Sequence, residues 1–544
     1  QITKGAGSVV NGYESISGQI NTELIKPIND IPFFLNAYGS TDSRFELNTH
    51  FNTQLSQKWS SSLFVHGNTR VSKMDQNNDG FMDNPLAKQI NVMNRYQYYD
   101  AEKGLVSFIN FRYMNDKKQS GEVDFDPDRD RGATNRWGSE INTQRLDLAT
   151  KVGYVFKDMP FQSIGFQNAF TLHNQNSYYG LNVYDIKQSS FYSNLIFNSI
   201  INNTKHKFAT GINFAYDNYN EFVGLTDYGR VDNSVGAFFE YTYDNDDNFS
   251  LVLGGRVDNH NRLGTFVTPR LHLRYNPWEK SVLRFSAGRG KRAANIFAEN
   301  QSLFASSRTF SILDTDGKIY GLNPEIAWNY GLSFNQKFQL FGRNGDAGFD
   351  LYRTDFQNQA VVDVMQSPQQ VLFYNLKGKS YATSLQIEFN YELANRFSLR
   401  SAYKYYDIQT QYLSGVYQRP LQAKHRFFGN LEYETGRSES GSQWRFDATY
   451  NWLGKQQLPV TASNPAQDRL PEFSPSYNLI NAQVTHVFSS NFEIYVGGEN
   501  IGNYKQSKAI LGAETPFGPT FDASIVYAPI FGQMYYAGLR FKIK

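Results

Sequence analysis

A run of oxygen-bearing side chains at residues 75–83, DQNNDGFMD, is the part of the sequence best suited to bind an ion. It fits D-x-N-x-D-G-x-x-D, the first positions of a calcium loop, with Gly80 at the sharp turn and Leu86 replacing the bidentate Glu that closes an EF-hand. The pattern predicts a shortened structural calcium site whose ligands are Asp75, Asn77, Asp79, the carbonyl of Phe81 and Asp83. A polar turn without metal explains the same residues equally well.

A second group with a chemical use is the basic cluster Arg289, Lys291 and Arg292. Clustered positive charge can attract an anionic ligand or the phosphate groups of a lipid. The cluster stands at the end of an alternating segment, where a long connection begins that runs over 291–323. A solvated strand end without any ligand is the more economical interpretation of such a run.

Catalytic spacings are missing from the sequence. The eight His and seven Met are scattered, without H-x-H, Met-x-x-Met or H-E-x-x-H spacing, so metal relays, haem ligation and zinc hydrolysis lack their signals. Neither a G-x-S-x-G elbow nor a Walker-type loop occurs, which removes the motifs of serine hydrolysis and phosphoryl transfer. The sequence therefore predicts that the protein is not an enzyme and carries no redox cofactor.

The composition favours β-structure. Aromatic residues, including 44 Phe and 36 Tyr, make up 16% of the 544 residues, and such side chains favour pleated surfaces. No stretch reaches the roughly 18 to 20 consecutive apolar residues of a membrane-spanning helix. The absence of Cys argues against a disulfide scaffold, and a net charge of +2 from scattered residues leaves no footprint for nucleic acid.

The elements that would position these groups are strands with one apolar and one polar face. In SLQIEFNYEL, residues 384–393, every second residue from Leu385 to Leu393 is apolar and the residues between them are polar. The stretch RLDLATKVGYVF, residues 145–156, alternates in the same way. A period of two indicates strands that face lipid or a core on one side and water on the other.

The connections between these segments alternate between tight turns and longer loops. Ten tight turns are predicted, at residues 54–58, 100–104, 157–160, 202–205, 244–248, 276–280, 341–346, 393–396, 435–442 and 489–492. The longer connections between them include 118–140, 291–323, 359–377, 455–473 and 503–532. Two strands between consecutive turns give about 22 strands, and this segregation of loop lengths is typical of an all-β, transmembrane antiparallel β-barrel. A large soluble β-protein is the alternative.

Closure of such a barrel requires the two ends of the chain to pair. The last segment, MYYAGLRFKIK at residues 534–544, alternates like the others, and the first predicted strand is FFLNAYGS from Phe33. An unpaired strand edge in lipid would leave backbone groups without hydrogen bonds. We therefore expect the last strand to pair with the first.

The N-terminal stretch ITKGAGSVVNGYESISGQIN, residues 2–21, resembles the end of the plug domain of TonB-dependent outer-membrane transporters. The family pattern I-x-K-G-x-x-S-x-x-x-G-x-x-x-x-x-G-x-I-N precedes the first barrel strand, and the residues that match it are Lys4, Gly5, Ser8, Gly12, Gly18, Ile20 and Asn21. Residues 268–292, 322–334 and 492–505 look like barrel segments of the same family. Together with the strand count, the resemblance covers essentially the whole chain.

The resemblance implies a 22-stranded barrel, filled by an N-terminal plug, in the outer membrane of a Gram-negative bacterium. In this family a substrate caught by the outer loops passes when TonB, energised from the inner membrane, pulls on the plug. The TonB box and most of the plug are expected upstream of this sequence, which does not begin with Met. A wide barrel without its plug would leak unless loops or a partner close it.

The sequence thus predicts two parts, residues 1–27 as the C-terminal remnant of a plug domain and residues 28–544 as the barrel. The predicted function is TonB-dependent import of a scarce nutrient, a ferric siderophore or another metal chelate, with Arg289, Lys291 and Arg292 as candidate contacts. Expected partners are TonB, outer-membrane lipid and lipopolysaccharide, the chelate, and other outer-membrane proteins. The alternative is a transport-inactive barrel that serves as a scaffold subunit of a larger outer-membrane complex.

Overall fold

A computed structural model describes residues 2–544, so that Gln1, the first residue of the predicted plug remnant, lies outside the described residues. The chain forms one closed antiparallel barrel of 22 strands, which confirms the predicted fold class. In chain order the barrel strands are Phe33–Ser40, Arg44–Gln54, Trp59–Arg70, Leu86–Asp100, Leu105–Gly121, Gly138–Val155, Ser163–Tyr179, Asn182–Ile201, Asn203–Val223, Arg230–Asp244, Phe249–His260, Gly264–Tyr275, Ser281–Arg292, Glu325–Leu340, Arg343–Asn358, Ser380–Ala394, Phe397–Tyr412, His425–Glu434, Gln443–Leu453, Tyr477–Val487, Phe492–Glu499 and Met534–Ile543.

The remaining elements are short and are not among the 22 strands of the wall. Ile2–Lys4 pairs with Gly18–Ile20, while Thr226–Asp227 and Gly415–Gln418 extend neighbouring barrel strands at loop tips. A three-stranded sheet forms in the loops from Thr309–Ile312, Gln370–Asn375 and Ala360–Asp363. The short helices are Val9–Asn11, Pro127–Asp130, Ala298–Phe304 and Ala466–Asp468. Across residues 2–544, no helix has the length and apolar character needed to span a membrane.

The two faces of the wall follow the period of two in the sequence. On the strand Ser380–Ala394 the side chains of Ile387 and Phe389 are 48% and 38% exposed on the outside. Gln386 and Glu388, which alternate with them along the strand, face the interior and hydrogen-bond to each other. The apolar face therefore lies outside and the polar face inside, as lipid around the barrel and water within it require.

The tight turns all lie at one end of the barrel, which we call the turn end. Each of the ten predicted turns falls between two barrel strands, although the turn predicted at 341–346 shrinks to 341–342 and the one predicted at 202–205 shrinks to residue 202. The opposite end, the loop end, carries the long connections, among them 71–85, 122–137, 293–324, 359–379, 454–476 and 500–533. Three loop-end connections, 41–43, 180–181 and 261–263, are as short as turns, because strands here continue almost to the tip.

The first and last barrel strands close the wall. Met534–Ile543 pairs with Phe33–Ser40 from Ile543 opposite Phe33 to Tyr536 opposite Ser40. No strand edge of the wall is therefore left in lipid, and the predicted pairing of the two ends is confirmed.

Candidate functional site in the barrel interior

The N-terminal segment lies inside the barrel, against the wall formed by the eighth to fifteenth strands. Ala6 and Val9 are fully buried, and the wall residues that face them are Gly288 and Gly254. A Cβ on Gly254 would come within 2.9 Å of Val9, and one on Gly290 within 2.7 Å of Ile16. Glycine in these wall strands therefore leaves the space that residues 5–16, which we call the inner segment, occupy.

Two buried arginines of the wall bind the backbone of the inner segment. Arg256 donates to the Val9 carbonyl at 2.6 Å, and its guanidinium is held by Asp258 at 2.5 Å. Arg270 donates to the carbonyls of Gly7 at 2.6 Å and Ser8 at 2.9 Å. The side chains of Arg256 and Asp258 are both 0% exposed. The charged donors are thus shielded from water. In this environment of low dielectric constant, a hydrogen bond is electrostatically stronger than in water.

The residues that match the plug pattern take varied roles. Lys4 forms an ion pair with Asp350, and the hydroxyl of Ser8 donates to Glu240 at 2.7 Å. Gly5 and Gly12 adopt φ values of +81° and +115°, which L side chains rarely adopt. Gly18 and Ile20 lie in the short strand that pairs with Ile2–Lys4, and Asn21 follows it. The structure thus joins Lys4, Gly5, Ser8 and Gly12 to the wall or to the turns that reach it.

One hydrophobic core joins loops from different sides of the loop end. It contains Phe81 of 71–85, Trp137 of 122–137, Phe297 of 293–324, Phe373 of 359–379 and Phe521 of 500–533. The first and third of these loops follow the third and thirteenth strands, which stand ten strands apart in a ring of 22. Because those strands lie nearly opposite each other, a core that includes both loops must cross the mouth of the barrel. We call this packed group of loops the cap.

A buried ion pair fastens the cap together. Arg308 donates to Asp522 at 2.9 Å and to the Ser367 carbonyl at 2.9 Å, and so connects three loops. The Arg308 and Asp522 side chains are only 1% and 5% exposed. Ser307 adds a backbone hydrogen bond to Phe521 at 2.8 Å. The cap therefore has internal order of its own and is more than a set of independent loops.

A second buried network ties the cap to the wall. Arg230 donates to Glu221 at 3.2 Å, to Asp232 at 3.0 Å and to the Tyr320 hydroxyl at 2.7 Å. Tyr320 belongs to the loop 293–324 and also donates to Glu221. Directly beneath this network lies a small polar cavity lined by Tyr13, Asp217 and His260, among others. The cavity lies between the inner segment, which contributes Tyr13, and the start of the loop 293–324, which contributes Ala293 and Asn295.

The basic cluster of the thirteenth strand is divided between the two faces of the wall. Arg292 faces the interior and pairs with Glu325 at 2.6 Å and Glu299 at 2.8 Å. Arg289 faces outward and donates to the Val267 carbonyl at 3.2 Å. Lys291 is buried, donates to the Leu263 carbonyl at 2.9 Å and places its ammonium 4.3 Å from the Phe266 ring. The structure therefore does not bring the three side chains together around one anion.

The predicted calcium loop forms a tight turn at the loop end. The Asp75 carboxylate accepts from the backbone N–H groups of Asp79 at 3.2 Å and Gly80 at 2.9 Å. Asp83 accepts from Gln76 at 2.7 Å, while its other oxygen is buried without a hydrogen-bond partner. Burial raises the pKa of Asp83 to about 6, with smaller contributions from the carboxylates of Asp75 and Asp79. Among residues 2–544, no three His, Asp or Glu side chains group closely enough to hold a metal ion.

The arginines that bind the inner segment and the cap were not found from the sequence, although a signal exists. The tripeptide Arg-Val-Asp occurs at 230–232 and again at 256–258. In a strand, residues two apart share a face, so each tripeptide places an opposite-charge pair on one side of the wall. Such pairs mark the polar face, but the spacing does not say which of them is buried by another part of the chain.

Comparisons with known proteins agree with this architecture. The family described as "TonB dependent receptor-like, beta-barrel" matches residues 7–501. No curated protein matches the chain.

Several solved structures share the fold. The structure of the FpvAI–pyocin S2 complex superposes with a TM-score of 0.74 at 13% identity, covering 99% of this chain and 73% of the other. A mutant of the ferric enterobactin receptor PfeA from Pseudomonas aeruginosa gives 0.73 at 11% identity, covering 100% and 84%. The siderophore receptor PirA from Acinetobacter baumannii gives 0.72 at 12% identity, covering 100% and 84%. At these identities the likeness concerns the fold.

Proposed function

The chain belongs to the family of TonB-dependent receptor β-barrels of the Gram-negative outer membrane, and from this premise we propose that it imports a ferric siderophore or a similar metal chelate. The structural neighbours named above include a ferric enterobactin receptor and a siderophore receptor. The family and these neighbours are receptors and transporters rather than enzymes. The comparisons do not favour the alternative of a scaffold subunit.

The observation that carries the proposal is the attachment of the inner segment to the wall. Buried guanidinium groups of Arg256 and Arg270 hold three consecutive carbonyls, at Gly7, Ser8 and Val9. Hydrogen bonds to charged groups contribute about 1.5–3 kcal/mol each. A pull applied to chain upstream of Lys4 would end at this point. We infer that residues 1–27 are the fixed end of a plug whose movable part precedes them, and that TonB acts on that movable part.

The cap supplies the outer gate in this proposal. A chelate that arrives from outside meets the packed loops first and, once they separate, the polar cavity between Tyr13, Asp217 and His260. Arg292 of the sequence-predicted basic cluster faces this interior, and it is already paired with two carboxylates. An anionic chelate would therefore have to compete with Glu299 and Glu325 for it.

Uptake of radioactive iron tests the function. The full-length gene product is expressed in a Gram-negative host that lacks its own siderophore receptors, and the host is offered ferric enterobactin, a ferric hydroxamate and ferric citrate. Iron uptake is expected with at least one chelate and is expected to stop when the host's TonB is deleted. Uptake from none of a wider panel, together with stoichiometric co-purification of other outer-membrane proteins, would favour the scaffold alternative.

We propose in addition that residues 75–83 bind Ca²⁺ as a structural ion. The donor set is all oxygen, as calcium prefers, and one buried Asp83 oxygen has no other partner. The loop is joined to 500–533, because Lys505 donates to the Gln76 carbonyl at 2.7 Å and Phe81 stacks with Phe521 at 5.9 Å. An ion here would stiffen one side of the cap.

Thermal unfolding with saturating Ca²⁺ or with chelator tests this site. Calcium is expected to raise the unfolding midpoint of the wild-type protein and to leave Asp79→Ala unchanged. Asp247→Ala, which removes an exposed carboxylate from a turn at the opposite end, is the control and should respond like the wild type. Equal midpoints in calcium and chelator for the wild type would eliminate the site.

A further inference from the structure

The apolar outer surface of the fifth to seventh strands stops at one level near the loop end. On the fifth strand, Phe111 and Tyr113 face outward and are followed on the same face by Asn115 and Lys117. On the seventh strand, the outward Phe170 and Leu172 are followed by Asn174 and Asn176. On the fifth to seventh strands the change from apolar to polar occurs between paired positions, so it forms a continuous boundary along this part of the wall. On the eighth strand the change occurs one outward position earlier, because Ser189 is opposite Leu172.

Two rows of polar side chains lie above this boundary, and we call them the amide belt. In the lower row the paired residues are, in strand order, Asn115, Gln144, Asn174 and Lys187. In the upper row they are Lys88, Lys117, Asn142 and Asn176. The eighth strand continues this row with Asp185, whose carboxylate accepts from the backbone N–H of Ser177 at 3.1 Å. Directly opposed residues on one face have Cβ atoms about 4.5–5.5 Å apart, so each row is a contiguous strip. A shallow depression opens between Asn115, Asn142 and Asn174.

The side chains of the amide belt have no partners within the protein. Among residues 2–544, none of the eight takes part in a side-chain hydrogen bond or an ion pair, and the side-chain Oδ1 of Asn174 is shielded from solvent without a partner. Lys88 and Lys117 are directly opposite each other on adjacent strands. Like charges in that position repel, so the pair gains from an anion placed between them.

The position of the amide belt relative to the membrane identifies the molecules that surround it. The loop end of such barrels faces outward, so the belt lies where the hydrocarbon of the outer leaflet ends. That leaflet of the Gram-negative outer membrane is made largely of lipopolysaccharide, whose headgroup is a phosphorylated saccharide. Carboxamides donate to and accept from sugar hydroxyls, and lysine ammonium groups bind phosphate.

We propose that the amide belt is a lateral binding site for lipopolysaccharide, with Lys88 and Lys117 on a headgroup phosphate and the carboxamides of Asn142, Asn174 and Asn176 on the adjoining sugars. The outward apolar residues Tyr113 and Leu172, directly below, contact its acyl chains. The site lies on the outside of the wall and takes no part in the passage of a chelate through the interior.

The test measures lipopolysaccharide bound to the full-length protein, purified in detergent from outer membranes and stripped of lipid. The protein is then mixed with phosphatidylcholine vesicles that contain either purified lipopolysaccharide or the same charge of phosphatidylglycerol. Lys88→Ala with Lys117→Ala removes two charge-assisted contacts, so its affinity for lipopolysaccharide vesicles should fall by about tenfold or more. Asn142→Ala with Asn174→Ala and Asn176→Ala should weaken binding without any change in net charge.

The matched control is Lys377→Ala with Lys379→Ala, which removes the same charge from exposed positions in the loop 359–379. It should bind like the wild type, and all variants should keep the heat-dependent gel shift of a folded barrel. Equal binding of wild type and the Lys88/Lys117 variant would overturn the proposal. So would equal affinity for phosphatidylglycerol vesicles, which indicates charge attraction alone, or self-association lost in the belt variants, which indicates a contact between copies.

Discussion

Arg256 is the residue on which the contact between the inner segment and the wall depends most. Its guanidinium touches Asp258, Asn213 and the Val9 carbonyl, and none of its side chain is exposed. The buried charge is therefore tolerated only because each nitrogen of the guanidinium donates a hydrogen bond to a partner. Removal of one member of such a group leaves the others buried without compensation.

Arg256→Leu is predicted to lower the free energy of unfolding by about 3–5 kcal/mol, because it leaves Asp258 as a buried unpaired carboxylate. Urea unfolding in detergent, followed by tryptophan fluorescence, measures the change. Arg256→Leu with Asp258→Leu should recover part of the loss.

Arg400→Leu is the matched control for this prediction. Arg400 also pairs with a carboxylate, Glu432 at 3.4 Å, but its side chain is 63% exposed. An exposed pair contributes about 0–1 kcal/mol. Equal losses for the Arg256 and Arg400 variants would contradict the assignment of Arg256 to a buried site.

The sequence alone could have predicted that Arg289, Lys291 and Arg292 do not all lie on one face of their strand. Arg289 and Lys291 are two residues apart and Arg292 follows at an odd offset, so a period of two already places Arg292 on the opposite face. The interaction of Arg256 with Val9 could not be predicted from such a local pattern. It joins residues 247 positions apart, and no local pattern records which backbone carbonyl reaches which charged group.

The strands and turns were predictable as elements because their signals are local. Alternation identifies a strand, and Asn, Asp and Gly mark the turns, as in DNDDN at 244–248. The cap carries no such signal. Phe297, Phe304 and Phe373 lie in connections without periodicity, and only the packed structure shows that they share a core. Loops are the part of a barrel that sequence patterns describe least.

Gly288→Val is predicted to displace the inner segment from the wall. A Cβ at Gly288 would collide with the Ala6 methyl group, and overpacking of this kind costs about 1–3 kcal/mol. The fraction of protein with a released segment should rise by about one to two orders of magnitude. Cleavage by trypsin after Lys4, followed by mass spectrometry, should accelerate accordingly, since proteolysis tracks the open population.

Gly255→Val provides the control for this prediction, because a Cβ at Gly255 meets nothing within 4 Å. It adds the same side chain to the outward face of the eleventh strand, two strands away from Gly288. Cleavage after Lys4 at the wild-type rate in both variants would show that the inner segment is not held against Gly288.

Arg308→Ala is predicted to loosen the cap without affecting the barrel. It removes the contacts to Asp522 and Ser367 that connect three loops, and leaves Asp522 buried and unpaired. Hydrogen exchange should become faster in 293–324 and 500–533 and stay unchanged in the wall strands. Arg343→Ala, which breaks the half-exposed pair with Glu392, is the control. Faster exchange throughout the barrel would indicate general destabilisation instead.

For the whole molecule, the pairing of the first and last strands decides whether the barrel is closed. The chain contains no Cys, so an introduced pair reports on that seam alone. Ala37 and Leu539 are directly opposite each other, within the range in which a disulfide can form. Ala37→Cys with Leu539→Cys is predicted to cross-link on oxidation and to keep the barrel compact on heating in detergent until reductant is added.

A pair shifted by two residues gives the comparison. Phe541 is opposite Leu35, so Ala37→Cys with Phe541→Cys places the two thiols at a diagonal, about 7–8 Å apart, where cross-linking should be poor. Preferential cross-linking of the diagonal pair would mean that the register at the seam is different. Closure itself was predictable, since lipid penalises any unpaired edge, whereas register depends on how all 22 strands twist together.

The wall binds the inner segment through carbonyl oxygens, and every amino acid carries one. The socket formed by Arg256 and Arg270 therefore prescribes a backbone path and, through Gly254 and Gly288, an upper limit on volume. At the three carbonyls it holds, the side chains are constrained by other contacts, because the Ser8 hydroxyl donates to Glu240 and Val9 packs against Gly254. A copy of the segment that keeps these residues and carries a fluorophore at the exposed Asn11 should dock in the same place. For protein engineering, the barrel is thus a holder for peptides that preserve this backbone path and these side chains.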